Sequence, residues 1–286
     1  MPFTLIKGTF HVVGYSPDGD SLKFKANNPN TWKKIEGTVK FNKKKHAQLR
    51  MEGIDALETH YRPALASGNL HQPHVWAQAA RDFLIKSVGI TNVQWGPAQS
   101  KVTSANDGVK GYILTRGIDN AQYGRPVSFV FKGTPHEPDG ASVNLTAART
   151  RRSMNYKLLL NGLAYPTYYK SFFADFRDEF NKAVAKALKP KPKGLWKKDR
   201  TMGLTFNGLT SITDTYPVLP KLFRRLTEHL AHNGTLSTFR KFLADKKDGV
   251  TILPQVHHTD ALDFVVKVKG KRVGLTVRPE DLIFDG

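Results

Sequence analysis

The chain has 286 residues, 40% of them apolar and none of them cysteine. That length supports one large domain or two smaller ones with a sizeable core, and the lack of cysteine excludes a disulfide framework and thiolate chemistry. With 44 basic against 24 acidic residues the net charge is +20, a field that attracts polyanions such as nucleic acid. Residues 1–200 hold 32 of the basic and 15 of the acidic residues, while residues 201–286 hold 12 and 9, so the polyanion-binding surface is expected mostly in the first 200. No apolar run reaches the length of a membrane span, and MPFTLIKGTF lacks the parts of a signal peptide. A cytoplasmic protein, or a secreted one already processed, is therefore expected, with no membrane partner.

In chain order, Phe10–Val13 reads as a strand entering the turn Tyr15-Ser-Pro-Asp-Gly-Asp20, with Pro17 and Gly19 as turn formers. Leu22 and Phe24 resume a strand, which sets Asp18 and Asp20 at a hairpin corner. Asn27–Trp32 reads as a loop and Ile35–Phe41 as an alternating strand before Lys43-Lys44-Lys45. The stretch Gln48–Thr59 (QLRMEGIDALET) follows. Leu49, Met51 and Ile54 suit a half-buried strand, and Arg50, Asp55 and Glu58 cluster where it ends. A cation, a hard-metal ligand and a second carboxylate at a strand terminus supply most of what phosphodiester cleavage needs.

Beyond it, His71-x-x-His74 looks like half a metal site without a second half. His74–Val88 reads as an amphipathic helix closed by Gly89. Val93 to Trp95, Tyr112–Thr115 and Val127–Phe131 read as strands, the last two joined by the turn DNAQYGR. Thr134–Arg152 is an extended excursion. Ser153 caps a helix that runs to Asn161 and stops at Gly162. Ser171–Leu188 is a helix whose phenylalanines recur at core spacing. A domain boundary is expected near Thr201. In residues 201–286, Leu219–Asn233 and Ser237–Asp245 read as helices, and Val250–Leu253, Phe264–Val268 and Val273–Val277 as strands.

Three segments then line up: Asp18-Gly-Asp20-Ser, Arg50-Met-Glu-Gly-Ile-Asp55-Ala-Leu-Glu58-Thr, and Tyr123-Gly-Arg125. With Asn161-Gly-Leu-Ala and Gly194-Leu-Trp196 further on, their order and spacing resemble the staphylococcal nuclease (thermonuclease) family over about residues 8–200, with insertions near 26–46, 62–74 and 133–148. The resemblance implies a mainly β plus α (α+β) fold, an OB-fold five-stranded barrel with flanking helices, to which residues 201–286 add a small α+β domain. It implies a Ca2+-dependent, sugar-nonspecific endonuclease acting on DNA and RNA. Position by position, Asp20 and Asp55 match the metal carboxylates, and Ala56 matches the residue that offers the metal a backbone carbonyl. Glu58 matches the general base, Arg50 and Arg125 the phosphate-gripping arginines, and Tyr123 and Tyr168 the nucleotide-contacting rings. Two departures stand out: Asp55-Ala-Leu-Glu58 replaces the family's Asp-Thr-Pro-Glu, and Gln122 replaces a lysine. The competing expectation is an OB-fold module that binds nucleic acid without cleaving it.

Overall fold

The computed structural model describes residues 2–285, which form two compact units: residues 2–52 with 81–158, and residues 53–80 with 159–285. The expected segment 201–286 lies wholly within the second.

In the first unit a sheet runs in the spatial order Ala47–Gln48, Lys23–Ala26, Phe3–His11, Val109–Ile118, Pro126–Lys132, Arg50–Met51, with the short strand Ser142–Val143 beside Phe3–His11. The two edge strands are consecutive in the chain, separated only by Leu49, so one bent segment begins and ends the sheet and nearly closes it into a barrel. All pairs are antiparallel except Arg50–Met51 with Pro126–Lys132, where Arg50 stands opposite Val127. Ile6, Phe10, Phe24, Leu49, Ile113 and Val130 share one face of the sheet and fill the interior, while Leu5, Leu114 and Phe129 are buried on its other face. Gly8 and Gly111 face each other across the sheet. A Cβ on Gly8 would lie 2.5 Å from the Phe24 ring, and one on Gly111 would lie 2.2 Å from the Phe10 ring, so both glycines make room for the two rings at the core. This six-strand, nearly closed sheet with helices is consistent with an α+β, OB-like fold.

The first strand begins at Phe3, well before the expected Phe10: Phe3–His11 pairs along nearly its whole length with Val109–Ile118, and its burial alternates except at Leu5 and Ile6, which are both buried. The expected strand Ile35–Phe41 is replaced by irregular chain with isolated bridges at Glu36 and Phe41. Gly37 there has φ of +84°, outside the extended region, and so breaks the strand. Asn27–Trp32 is a loop only in part: Pro29–Lys34 is a 3-10 helix whose Asn28 side chain accepts from the Asn30 amide.

In the second unit, Ile54–Asp55 pairs antiparallel with Tyr165–Pro166, placing Asp55 opposite Tyr165. Gly53, with φ of +75°, bends the chain into this pairing against Phe172 and Phe180. The helices Ala174–Leu188, Pro220–Ala231 and Leu236–Lys246 pack with a four-stranded and a three-stranded sheet. The second of these joins Leu204–Thr205, Arg272–Leu275 and Val266–Lys269. Phe264 belongs to a 3-10 turn over Leu262–Val265, so the expected strand there starts two residues later, at Val266. The helices His74–Val88 and Met154–Leu160 agree with the sequence reading, the latter capped where the Ser153 hydroxyl accepts from the Tyr156 amide at 3.1 Å. No helix among the described residues is long and apolar enough to cross a membrane.

Candidate functional site

Within the first unit, three of the expected positions share neighbouring backbone. The Met51 amide donates to the Asp20 carbonyl at 3.1 Å, and the Leu49 amide donates to the Leu22 carbonyl at 2.9 Å. These bonds lay the Arg50 segment along the Asp20 corner. On its other side Arg50 stands opposite Val127, two residues past Arg125. The sheet register thus places the chain at Asp20, Arg50 and Arg125 in adjacent strands and turns.

Arg125 is aimed by a residue that the sequence reading passed over. Asp119, at the start of the DNAQYGR turn, accepts from the Arg125 amide at 2.9 Å and from its Nε at 2.7 Å. The Arg125 carbonyl also closes the turn, accepting from the Asp119 amide at 2.9 Å. Gly124 permits the turn: its φ is +59°, and a Cβ there would lie 2.8 Å from the Thr38 carbonyl oxygen. Tyr123 is 53% exposed, and the Arg125 guanidinium carbon lies 5.0 Å from its ring centre. An exposed ring beside a cation suits stacking on a base. An Asp opening a tight turn was the available signal for Asp119, since such residues tie down the amides that follow.

Next to Arg50 lies Glu52, buried, its carboxyl pushed up to about 7 by desolvation, against which the positive charges of Arg116 and Arg50 work. Its backbone is locked by Asn155. The Asn155 side chain donates to the Glu52 and Ser128 carbonyls at 2.9 and 3.0 Å and accepts from the Val130 amide at 3.0 Å. This fully buried amide therefore fixes the strand that carries Arg50.

Asp55, Ala56 and Glu58 lie in the second unit. Asp55 and Ala56 are buried, and Glu58 is half-buried. Both carboxylates are taken by a third residue, Arg224, on the helix Pro220–Ala231. Its Nη2 and Nη1 donate to Asp55 Oδ2 and Oδ1 at 2.6 and 3.2 Å, and Nη1 also donates to Glu58 Oε1 at 2.6 Å. Burial works against the guanidinium charge, but Asp55 and Glu58 outweigh it and hold Arg224 well above the usual arginine range. Gln72 prepares the contact. Its side-chain oxygen accepts from the Glu58 amide at 3.3 Å, and its Nε2 donates to the Val218 carbonyl at 2.7 Å, just before the Arg224 helix. Phe223 packs edge-on against Tyr61, with ring centres 6.1 Å apart.

This arrangement bears directly on the Ca2+ that the family resemblance implies. Calcium needs several oxygen ligands at about 2.3–2.6 Å. Both Asp55 oxygens already accept N–H groups from a cation, so an ion there would compete for the same lone pairs and repel Arg224. Among the described residues no group of three or more His, Asp or Glu side chains is placed to hold a metal. With Arg224 seated, the residues do not fit the ion. His71 and His74 stack with ring centres 3.7 Å apart, and His71 Nδ1 lies 3.1 Å from the Gln72 carbonyl oxygen.

Tyr168 requires a correction. Its ring is fully buried, lies parallel to Phe172 at 5.2 Å, and its hydroxyl donates to Asn181 Oδ1 at 2.6 Å. No face of it is open to a base. The phenol and ring are used as core, as the phenylalanine pattern that follows it foreshadows.

No family model matches the chain, and no curated protein matches it.

Proposed function

We propose that the chain is a sugar-nonspecific nucleic-acid phosphodiesterase, an endonuclease that cuts DNA and RNA. The observation that carries this reading is the register joining the Asp20, Arg50 and Arg125 segments in one barrel-like unit. The charge of +20 supports it. Arg50 and Arg125 each offer paired N–H donors to the non-bridging oxygens of a phosphodiester, and their grip tightens as charge builds there in the transition state. Glu58 is the base. It takes a proton from water as the water oxygen bonds to phosphorus. The bond from phosphorus to the 5′ oxygen breaks, and that oxygen keeps the electron pair and takes a proton from solvent. The products are a 5′-hydroxyl and a 3′-phosphate.

A carboxylate bound by a guanidinium is a poor proton acceptor, since the neighbouring charge favours the ionised form. The seated Arg224 therefore corresponds to a resting arrangement of Glu58. The same contact favours a second reading, in which Asp55 and Glu58 serve only to anchor the Arg224 helix and the protein binds nucleic acid without cutting it. Incubating the full chain with circular single-stranded DNA and with RNA, followed by end-group analysis, separates the two. Internal cuts that disappear in Arg125→Ala support the nuclease. Intact substrate at saturating protein, with retention in a binding assay, supports the module.

A further inference from the structure

We propose that Arg224 is the resident cation of the Asp55–Glu58 pair and keeps divalent ions off it while seated. The inference rests on the nuclease reading for its purpose, although not for its geometry. Arg224 meets Asp55 through both terminal nitrogens and reaches Glu58 through one of them, so three N–H···O contacts converge on two carboxylates. A guanidinium matches this edge-on geometry, whereas a hard ion would approach the same oxygens from the same side.

The donor is well held. The neighbouring Arg225 is tied to Glu228 at 2.9 Å and to Asp248, and Lys246 pairs with Glu228, which fastens the helix Pro220–Ala231 to Leu236–Lys246. Gln72 and the Tyr61–Phe223 contact fasten the loop that carries Glu58. A family-type acidic pair is thus covered by a residue well outside the stretch that resembles the family. Opening it requires withdrawal of Arg224, either by motion of its helix or by a competing anion that the guanidinium prefers.

The test is a calorimetric titration of Ca2+ and of Mn2+ into wild type, Arg224→Met and the double variant Arg224→Met/Asp55→Asn, without nucleic acid. Expected is no saturable site in wild type, a saturable site in Arg224→Met, and its loss in the double variant. Arg224→Gln, which keeps a polar side chain but removes the charge, stands in if Arg224→Met does not fold. A wild-type site that is unchanged in Arg224→Met overturns the proposal, as does the absence of any site in all the proteins. DNA digestion by the same samples reports separately on the nuclease reading, so the two can fail independently.

A different observation points to a second site. Lys267, Lys269 and Arg272 line a cavity of about 460 Å³ together with Met202, Gly203 and Thr276. Lys267 and Lys269 lie two residues apart on one face of their strand, roughly 6.5 Å along it, and Lys269 stands opposite Arg272. Gly270, with φ of +56°, makes the two-residue turn between them. Gly203 leaves room for the guanidinium, since a Cβ there would lie 3.1 Å from Arg272 Nη2. No carboxylate lines the cavity, and among the described residues none of these three cations is ion-paired.

The geometry points to a binding site for the phosphodiester backbone of single-stranded nucleic acid, whose successive phosphates are spaced much as the two lysines are. The charge-reversal variant Lys267→Glu/Lys269→Glu/Arg272→Glu tests it by fluorescence anisotropy with a labelled single-stranded oligonucleotide in a chelating buffer. Expected is an affinity at least tenfold lower and a shallower dependence on salt. An unchanged oligonucleotide affinity overturns the site. So does a loss confined to vesicles of anionic lipid.

Discussion

Arg224 grips Asp55 along the edge of its carboxylate, Nη2 to Oδ2 at 2.6 Å and Nη1 to Oδ1 at 3.2 Å, although 169 positions separate them in the chain. The contact makes the expected metal ligand one half of an internal ion pair. Removing one partner of a part-buried pair leaves the other desolvated and unmatched. Arg224→Met is therefore expected to lose about 3 kcal/mol of stability in chelating buffer. Arg224→Met/Asp55→Asn/Glu58→Gln should recover a good part of that loss. Urea unfolding of the two variants beside wild type measures the difference.

Asn155 predicts a second, purely structural effect. Three backbone groups bond to its side chain: the Glu52 and Ser128 carbonyls and the Val130 amide. The Ser128 carbonyl keeps the bond it accepts from the Glu52 amide at 3.0 Å, but Asn155→Ala removes the side-chain partner of the Glu52 carbonyl and the Val130 amide in the core and should cost roughly 2–3 kcal/mol. Denaturant unfolding with an unchanged slope would show a loss of stability alone.

The two substitutions at the proposed chemical groups carry a different signature. Arg125→Ala should reduce cleavage by about 10²–10³, on the scale of a lost transition-state donor, and Glu58→Gln by about 10²–10⁴, on the scale of a lost general base. Arg125→Ala should retain the wild-type melting temperature to within a few degrees. Asp119→Ala is expected to reproduce part of the Arg125→Ala defect, because Asp119 holds the guanidinium in its direction. Lowered turnover at an unchanged apparent substrate affinity would mark it as a positioning residue.

Glu52 makes stability depend on pH. Burial raises its carboxyl from the usual 4.5 to about 7 in the folded protein. Between those values the unfolded chain binds fewer protons than the folded one, so stability falls as pH rises across this window and levels off above it. The span corresponds to about 3 kcal/mol. Glu52→Gln should remove this loss, so its gain over wild type should be larger at pH 8 than at pH 4.5. Urea midpoints at the two values give the result.

Much of the framework was legible from local pattern. The helix His74–Val88 followed from apolar spacing and a closing glycine, and the DNAQYGR hairpin from its turn residues. The corner at Asp20, the strand at Arg50 and the turn at Arg125 were legible from turn residues and strand alternation. What local pattern could not carry was pairing at a distance. Arg224 sits in an ordinary amphipathic helix, and nothing in PKLFRRLTEHL marks which arginine meets Asp55. Tyr168 failed for a related reason: a tyrosine in a Tyr-Tyr pair reads as a platform until Phe172 and Asn181 are seen to enclose it. Ile35–Phe41 alternates like a strand, but Gly37 takes a conformation that no strand accepts.

The most direct measurement is digestion of circular single-stranded DNA by wild type, Arg224→Met and Arg125→Ala, with the ends of the products identified. The account predicts internal cuts leaving 5′-hydroxyl and 3′-phosphate ends, faster cutting by Arg224→Met than by wild type, and almost none by Arg125→Ala. Circles left intact by both wild type and Arg224→Met, under conditions where both bind the DNA, would contradict it.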